Sequence, residues 1–308
     1  MTKLRVGVVG TGVMGSNHAR TLASLPGATL AGVMDMDRDR ATALAETLNC
    51  PVIPDLDGFK GNCDAVVVAA ATSAHAAIGQ TLLGQGLPCL IEKPLAGSDA
   101  ECALLQAAAD KAGVALAVGH IERFNPAFRA ARSKLAGRKI LSLDAKRLNP
   151  SSNRITDTDV IADLMLHDMD AGLVLLGGSP SKVSGRGFSK IPGALTDQAL
   201  ILAEIAGVPC SFQGSRLWPT RVRMTSLLLE DGSLLEIDFL TRTLIETAAD
   251  GAQTKHAQAP DAVQPLALEL TAFLDWIRTV NPGESVTASM ARETLAFVAE
   301  AQARIQVE

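Results

Sequence analysis

The fold of this chain is decided close to its start, by the stretch Arg5-Val6-Gly7-Val8-Val9-Gly10-Thr11-Gly12-Val13-Met14-Gly15. A short apolar strand leads into Gly10-x-Gly12-x-x-Gly15, and a helical pattern follows. Gly10 permits a tight turn, Gly12 lets the backbone approach a phosphate, and Gly15 lets the helix lie close to the strand. The N–H groups at a helix N-terminus bind phosphate readily. The stretch therefore predicts a dinucleotide site contacted by Gly10, Gly12, Val13, Met14 and Gly15.

The second strand, Thr29 to Met34, ends immediately before an acidic residue, Asp35. A carboxylate in this place can accept hydrogen bonds from both hydroxyls of the adenine ribose and would repel a 2′-phosphate. We therefore expect NAD as the cofactor in preference to NADP. Arg38 lies nearby in the sequence and would weaken that preference.

Length and charge limit the classes of function. A chain of 308 residues, 47% of them hydrophobic, predicts about two domains with a large core. The net charge of -5 argues against nucleic-acid or anionic-membrane partners. Apolar runs fall short of the ~18 residues that a membrane span needs. Because the first strand begins at Leu4, we expect no signal peptide and a cytoplasmic location.

The tyrosine and cysteine content of the chain excludes some kinds of active site and metal site. The chain has no tyrosine, which rules out dehydrogenases that use a Tyr/Lys pair as acid and base. The cysteines are odd in number and form no CxxC pair, so we expect buried thiols and no metal site or disulfide framework; they are Cys50, Cys63, Cys89, Cys102 and Cys210.

The first part of the chain alternates strand and helix patterns. Apolar strands separated by helices predict a doubly wound parallel sheet, an α/β Rossmann-type domain over residues 1–120. After the second strand, the expected elements are Asp64 to Ala70, Ser73 to Leu83, Pro88 to Glu92, Ser98 to Ala112 and Val114 to Val118.

From Ile121 the pattern changes to that of an α+β domain over residues 121–308. We expect a linking helix, Glu122 to Leu135, and another helix, Val160 to Leu176. Strands joined by short turns then predict a mainly antiparallel open sheet. Two closing helices could pack back on the first domain, and Asp250 to Gln264 is the expected mobile loop.

Several polar side chains follow the strands of the predicted parallel sheet, where ligands bind in open sheets of this kind. Lys93, in Glu92-Lys93-Pro94, could polarise a reacting oxygen, or it could be a solvent-facing loop lysine. Thr72 and His75 could line a nicotinamide pocket, although Thr72 could instead cap a helix. Arg123 and Asn125 follow the fifth strand and could contact the substrate or form a salt-bridged hinge.

Asp163 and His167 lie four residues apart in a predicted helix, which places both on one face. A carboxylate beside an imidazole fixes its tautomer and raises its basicity. The pair could therefore serve as a general base with its partner. The alternative is a structural ion pair, and Asp168 and Asp170 nearby weaken the signal.

The set of motifs resembles the Gfo/Idh/MocA family, named for glucose–fructose oxidoreductase and inositol dehydrogenase. The glycine turn, Asp35, Thr72-x-x-His75, Glu92-Lys93-Pro94 and Asp163-x-x-x-His167-x-x-Asp170 occur in the family's order. The resemblance implies NAD(P)-dependent oxidation of a sugar or cyclitol hydroxyl. It also implies that the second domain binds substrate and mediates homodimer or homotetramer contacts.

Residue roles follow from this resemblance. It implies that His167 is the general base, Asp163 its partner and Lys93 the hydrogen-bonding cation. It places Thr72, His75, Glu92 and Lys93 near the cofactor, and it implies a cis bond between Lys93 and Pro94.

A narrower match is to the branch that contains UDP-N-acetylglucosamine 3-dehydrogenases, which oxidise a sugar C3 hydroxyl. It rests on Gly119 to Pro126, on Asp163 to Asp168 and on Arg154-Ile155. Arg123, Asn125 and Arg154 are the expected substrate contacts. Further cations could bind a pyrophosphate or could be solvated surface charges; they are Lys146, Arg147, Arg221 and Arg223.

Three alternatives to this activity remain open. The chain could oxidise a free sugar or inositol, or it could be a catalytically silent NAD-binding regulator. An NAD-dependent glycosidase is a third alternative. Intact Lys93, Asp163 and His167 argue against a silent protein.

Overall fold

The computed structural model describes residues 2–150, 158–191, 195–256 and 264–307. The chain forms two compact units and enters each of them twice. Unit 1 comprises residues 1–121 and 263–292, and unit 2 comprises residues 122–262 and 293–308. The division of labour expected between residues 1–120 and 121–308, with the cofactor bound by the first part and the substrate by the second, stays a prediction.

Unit 1 contains the predicted parallel sheet. Its five strands lie in the order β2-β1-β3-β4-β5 and all pair in parallel. Their apolar side chains are buried because helices cover both faces of such a sheet. The strands are β1 Leu4–Val9, β2 Ala28–Met34, β3 Ala65–Val68, β4 Cys89–Glu92 and β5 Leu116–Gly119.

Helices alternate with these strands, as the sequence predicts. They are α1 Val13–Ser24, α2 Arg38–Leu48, α3 Thr72–Gly84 and α4 Asp99–Ala112. Helix α2 was not predicted, because its apolar face is narrow and its other side chains are polar. It begins at an aspartate cap, where the Asp37 carboxylate accepts from the Arg40 backbone N–H at 3.1 Å.

Unit 2 is built on a mixed sheet of nine strands in the order β13-β12-β11-β10-β6-β9-β8-β7-β14 among the described residues. Most neighbours are antiparallel, as predicted, but β6–β9 and β7–β14 pair in parallel. The strands are β6 Ile140–Leu148, β7 Pro180–Phe188, β8 Gln198–Ile205, β9 Val208–Ser215, β10 Val222–Leu229, β11 Leu234–Asp238, β12 Thr243–Thr247, β13 Gln253–His256 and β14 Ile305–Val307.

Two helices and one loop predicted for unit 2 need correction. The expected linking helix is a 3-10 turn, Ile121–Phe124, followed by α5 Pro126–Lys134. The break falls at Asn125, whose side chain caps α5, since Pro126 favours a helix start and disfavours helical geometry in the residue before it. The second expected helix is a π turn, Ile161–Met165, that continues into α6 Leu166–Leu176. The expected mobile loop contains β13, and its residues 257–263 lie outside the described residues.

The last two helices of the chain complete the cores of the two units, one helix for each. Helix α7, Pro265–Thr279, buries Leu270, Phe273 and Leu274 in the core of unit 1. Helix α8, Ala288–Arg304, contributes Phe297 and Val298 to the core of unit 2. Among the described residues, no helix has the length and apolar character needed to cross a bilayer.

Candidate functional site

The turn between β1 and α1 has the geometry of a phosphate-binding loop. Gly10 has a φ of +89°, and a Cβ there would lie 2.6 Å from the Ala69 carbonyl oxygen. A Cβ at Gly15 would overlap the Gly10 carbonyl oxygen, whereas a Cβ at Gly12 would meet nothing within 4 Å. Helix α1 begins without a side-chain cap. Open space at Gly12 and an uncapped N-terminus fit the pyrophosphate of a dinucleotide.

The carboxylate of Asp35 lies beside this turn and is almost buried. Its Oδ2 accepts from the Thr11 backbone N–H at 2.6 Å and hydroxyl at 2.8 Å. Its Oδ1 accepts from the Asp37 N–H at 2.9 Å and from Arg40 Nη2 at 2.8 Å. Burial acts to raise the pKa of Asp35, but the hydrogen bonds from Arg40, Thr11 and Asp37 outweigh it and hold the pKa well below its usual range.

These contacts limit the hydrogen bonds that Asp35 could accept from ribose hydroxyls. An ionised carboxylate offers about four lone-pair sites, and Thr11, Asp37 and Arg40 supply four donors. The guanidinium of Arg40 is half exposed, so it is the donor that ribose hydroxyls can displace most easily. The arginine paired with Asp35 is therefore Arg40, not Arg38.

Glu92, the last residue of β4, is buried, and its carboxylate contacts other groups of the protein. Its Oε1 lies 2.7 Å from His18 Nε2, and its Oε2 accepts from the Lys93 backbone N–H at 3.2 Å. Burial acts to raise the pKa of Glu92, and the contact with His18 lowers it below its ordinary value. The Lys93–Pro94 bond is cis, as the resemblance implied. Glu92 thus supports the loop that carries Lys93, whose own side chain is half-buried.

His75 is buried in the first turn of α3, and both nitrogens of its ring contact backbone carbonyl oxygens. Its Nδ1 lies 3.0 Å from the Pro94 carbonyl oxygen and its Nε2 lies 3.1 Å from that of Ala70. Burial lowers the pKa of His75, although both carbonyls favour the protonated ring. Thr72 is the first residue of α3, and the N-cap before it makes no side-chain bond, so the alternative that Thr72 caps the helix is wrong.

Asp163 and His167 both belong to unit 2 and are half-buried. Asp163 lies in the π turn, and His167 is in the first turn of α6. Short π segments occur frequently at functional sites. The sequence pattern predicted one continuous α-helix for both residues, because apolar periodicity does not distinguish a π turn from an α-helix.

Arg147 forms a buried charge cluster next to this helix. It lies on the inner face of β6 and is 1% exposed. Its Nε and Nη2 donate to the Asp168 carboxylate at 2.9–3.1 Å, and its Nη1 donates to Glu122 at 3.0 Å. The guanidinium also lies 5.6 Å from the centre of the Phe239 ring. Because Arg147 is committed to these groups, it is not available to a pyrophosphate, whereas Arg223 is part-exposed, 3.7 Å from Glu122.

The two predicted substrate residues after β5 make internal contacts. Arg123 donates to both oxygens of Asp170 at 2.7 and 2.8 Å, and the Thr294 hydroxyl donates to the same carboxylate. Asn125 is buried and bonded to Glu122 as well as capping α5. Their role as substrate contacts stays a prediction, and Arg154 lies outside the described residues.

The structure groups these residues by unit. Unit 1 holds the glycine turn, Asp35, His75 and the Lys93 loop, and unit 2 holds Asp163 and His167. Sequence reasoning missed the Arg147–Asp168 pair and the Arg40 contact. A signal existed for the first, because Arg147 follows Leu143 and Ala145 at inward positions of an alternating strand. Among the described residues, no cluster of three or more His, Cys, Asp or Glu forms a metal site.

Comparison with known proteins extends this picture to the whole chain. The Gfo/Idh/MocA model, described as an oxidoreductase family with an NAD-binding Rossmann fold, matches residues 4–120. UDP-N-acetylglucosamine 3-dehydrogenase from Acidithiobacillus ferrooxidans is 33% identical over 79% of this chain and 77% of that protein. Inositol 2-dehydrogenase 2 from Paenarthrobacter aurescens is 30% identical over 98% of this chain and 95% of that protein.

A solved structure of the Acidithiobacillus ferrooxidans UDP-N-acetylglucosamine 3-dehydrogenase is also similar. It superposes with a TM-score of 0.91 at 31% identity, covering 99% of this chain and 98% of that one. The similarity therefore includes unit 2, beyond the cofactor-binding region that the family model matches.

Proposed function

This chain belongs to the Gfo/Idh/MocA family of NAD-binding oxidoreductases, and we propose that it oxidises the C3 hydroxyl of a UDP-amino sugar, UDP-N-acetylglucosamine first. The chain is an oxidoreductase that acts on CH–OH groups. One observation carries the substrate proposal: the similarity to the UDP-N-acetylglucosamine 3-dehydrogenase runs through unit 2, where Asp163 and His167 lie.

The proposed chemistry assigns a step to each candidate residue. His167 takes the proton of the C3 hydroxyl, and Asp163 holds the imidazole in the tautomer that can accept it. Lys93 donates a hydrogen bond to the same oxygen as it becomes a ketone. NAD, when bound, would accept the hydride from C3, and the hydroxyl proton would leave through His167, so that the alcohol is oxidised to a ketone.

The cofactor would lie along the β1–α1 turn. Open space at Gly12 and the uncapped start of α1, including Val13 and Met14, support phosphate binding there. Asp35 supports a preference for NAD, since an ionised carboxylate repels a 2′-phosphate.

A substrate panel tests the proposal directly. Formation of NADH is followed with UDP-N-acetylglucosamine, other UDP-sugars, free hexoses and inositols, with and without a transaminase that consumes the ketone. We expect the highest kcat/KM with UDP-N-acetylglucosamine. Activity with inositol or glucose and none with any UDP-sugar, even in the coupled assay, would defeat the substrate proposal and favour the inositol dehydrogenase alternative, which the relative from Paenarthrobacter aurescens supports.

The catalytic assignment is tested with Lys93→Met and His167→Asn. Loss of a general base typically costs ~10²–10⁴-fold in rate, so we expect turnover to fall by at least about a hundredfold while NADH binding persists. NADH fluorescence titration and circular dichroism establish that each variant is folded and binds cofactor. Activity like that of the wild type in both variants would show that these residues are not catalytic.

A further inference from the structure

The Arg147–Asp168 pair has no part in the chemistry proposed above, yet Asp168 is the chain neighbour of the candidate base His167. Arg147 and Asp168 are 1% and 2% exposed. The guanidinium meets the carboxylate as a fork, with Nε 3.1 and 3.0 Å from its two oxygens and Nη2 2.9 Å from Oδ1. A fork of this kind fixes direction as well as distance.

Two further contacts fix the guanidinium on its remaining sides. Nη1 donates to Glu122 Oε1 at 3.0 Å, and the ring of Phe239 packs against the guanidinium at 5.6 Å. Glu122 also faces Arg223, whose Nη1 is 3.7 Å away. Arg147 thus holds the carboxylate of Asp168. Glu122, in the 3-10 turn, and Phe239, which follows β11, in turn hold Arg147 in place.

A buried ion pair needs a reason beyond stability. Desolvation of two charges often cancels their attraction, so an apolar pair of similar volume would hold the fold equally well. What the apolar pair would not supply is the directional fork. The fork joins β6 to the first turn of α6, one residue from His167.

We propose that Arg147 and Asp168 are positioning residues: their fork locks the first turn of α6 against β6 and so sets the direction of the His167 imidazole. This rests on the proposed function of His167 as the base. Misplacement of a reacting group by about 1 Å can cost about a hundredfold in rate, so a looser first turn would lower kcat more than it changes KM.

Two variants separate positioning from folding. Arg147→Lys keeps the buried charge but cannot form the fork, and the double variant Arg147→Met/Asp168→Leu replaces the pair with apolar side chains. Arg138→Met is the matched control, because Arg138 is a part-exposed arginine of unit 2 that pairs with Glu246 and Asp231 at 2.8 and 3.0 Å. Thermal unfolding, kcat, KM and NADH affinity are measured for all.

We expect the double variant to unfold near the wild-type temperature and to lose about ten- to a hundredfold in kcat with little change in KM. Arg147→Lys is expected to lose kcat in the same way, and Arg138→Met to keep it. A kcat within about twofold of the wild type in either folded variant would overturn the proposal.

A second readout does not depend on turnover. The chain has five histidines, so NMR of labelled imidazoles, with His167→Asn for assignment, resolves the tautomer and pKa of His167. We expect both to change in Arg147→Lys and to stay unchanged in Arg138→Met. An unchanged His167 ring would refute positioning, whereas a changed ring in a protein that oxidises no sugar in the panel would leave positioning standing and defeat the proposed substrate class.

Discussion

At the scale of single residues, Asp35 illustrates how a local contact bears on cofactor choice. Its carboxylate holds the Arg40 guanidinium at 2.8 Å. While Asp35 is present, its negative charge opposes a 2′-phosphate and occupies the nearest cation. Removing the carboxylate therefore does two things at once, since it ends the repulsion and frees Arg40 to bind phosphate.

We accordingly expect the wild type to have a higher kcat/KM with NAD than with NADP, and Asp35→Ser to shift that ratio toward NADP by roughly tenfold or more, about 1.4 kcal/mol. Steady-state kinetics with both cofactors measure the ratio. Asp64→Ser is the control, because Asp64 pairs with Arg5 at 2.8 Å in the same unit. A wild type that prefers NADP would show that the Asp35 argument is wrong.

His75 predicts a pH dependence of stability. Burial lowers its pKa in the folded protein, so the unfolded chain binds the proton first as the pH falls below ~6.5. The free energy of unfolding therefore decreases as the pH falls through this range. At higher pH the ring of His75 is neutral in both the folded and the unfolded chain, so it does not change the free energy of unfolding with pH. Urea unfolding at about pH 7.5 and pH 5.5 should show a larger loss for the wild type than for His75→Gln. Equal losses would count against the buried, neutral ring.

Some residue contacts could be predicted from the sequence and others could not. The position of Lys93 follows from the end of a strand, and that of Gly12 from its spacing to Gly10 and Gly15. The Arg40 contact could not be predicted, because it requires α2 to be capped by Asp37 and to begin at Arg38. The fork of Arg147 depends on which strands become neighbours, which no local pattern specifies.

At the scale of elements, the β1–α1 turn separates two uses of glycine. Gly15 is needed for packing, since a Cβ there overlaps a backbone carbonyl, while Gly12 has free space around it and an ordinary φ of -62°. Gly15 is therefore needed for the fold, whereas Gly12 leaves space for a ligand at the N-terminus of α1.

The two alanine variants should therefore fail differently. Gly15→Ala should destabilise the protein by at least about 2 kcal/mol, because backbone cannot move aside as a side chain can. Gly12→Ala should unfold at the wild-type temperature yet bind NADH about tenfold more weakly or worse. Thermal unfolding and NADH fluorescence measure the two effects. Full NADH affinity in Gly12→Ala would contradict a phosphate site at this turn.

Sequence patterns predicted most strands and helices in place because their apolar periodicity is strong. They missed β12, β13 and β14, which are short. Among the described residues, β13 and β14 are the end strands of the sheet, and β13 consists of polar residues. Parallel pairing of β6 with β9 was also beyond reach, since the order of strands depends on connections far apart in the chain.

At the scale of the whole molecule, the outer face of the unit 2 sheet exposes leucine side chains on β8 and β10. On β8 the inward residues are buried, whereas Leu200 and Leu202 are 44% and 49% exposed. On β10, Leu227 and Leu229 are buried and Leu228 is 40% exposed. Exposed apolar surface of this kind marks sites of association.

We expect a homodimer or homotetramer formed through this face. Light scattering at micromolar concentration should give a mass above that of one chain, and Leu200→Lys/Leu202→Lys should shift it toward the monomer. Leu104→Lys, on α4 of unit 1 and 54% exposed, is the control and should leave the mass unchanged. A monomeric wild type would count against association.

The interleaving of the two units has a consequence for biosynthesis. A ribosome releases the parallel sheet of unit 1 long before α7, whose Leu270, Phe273 and Leu274 complete its core. Unit 2 likewise waits for Phe297 and Val298 of α8. Both nascent units therefore expose apolar surface until α7 and α8 have left the ribosome, so their folding is expected to draw on chaperones until then.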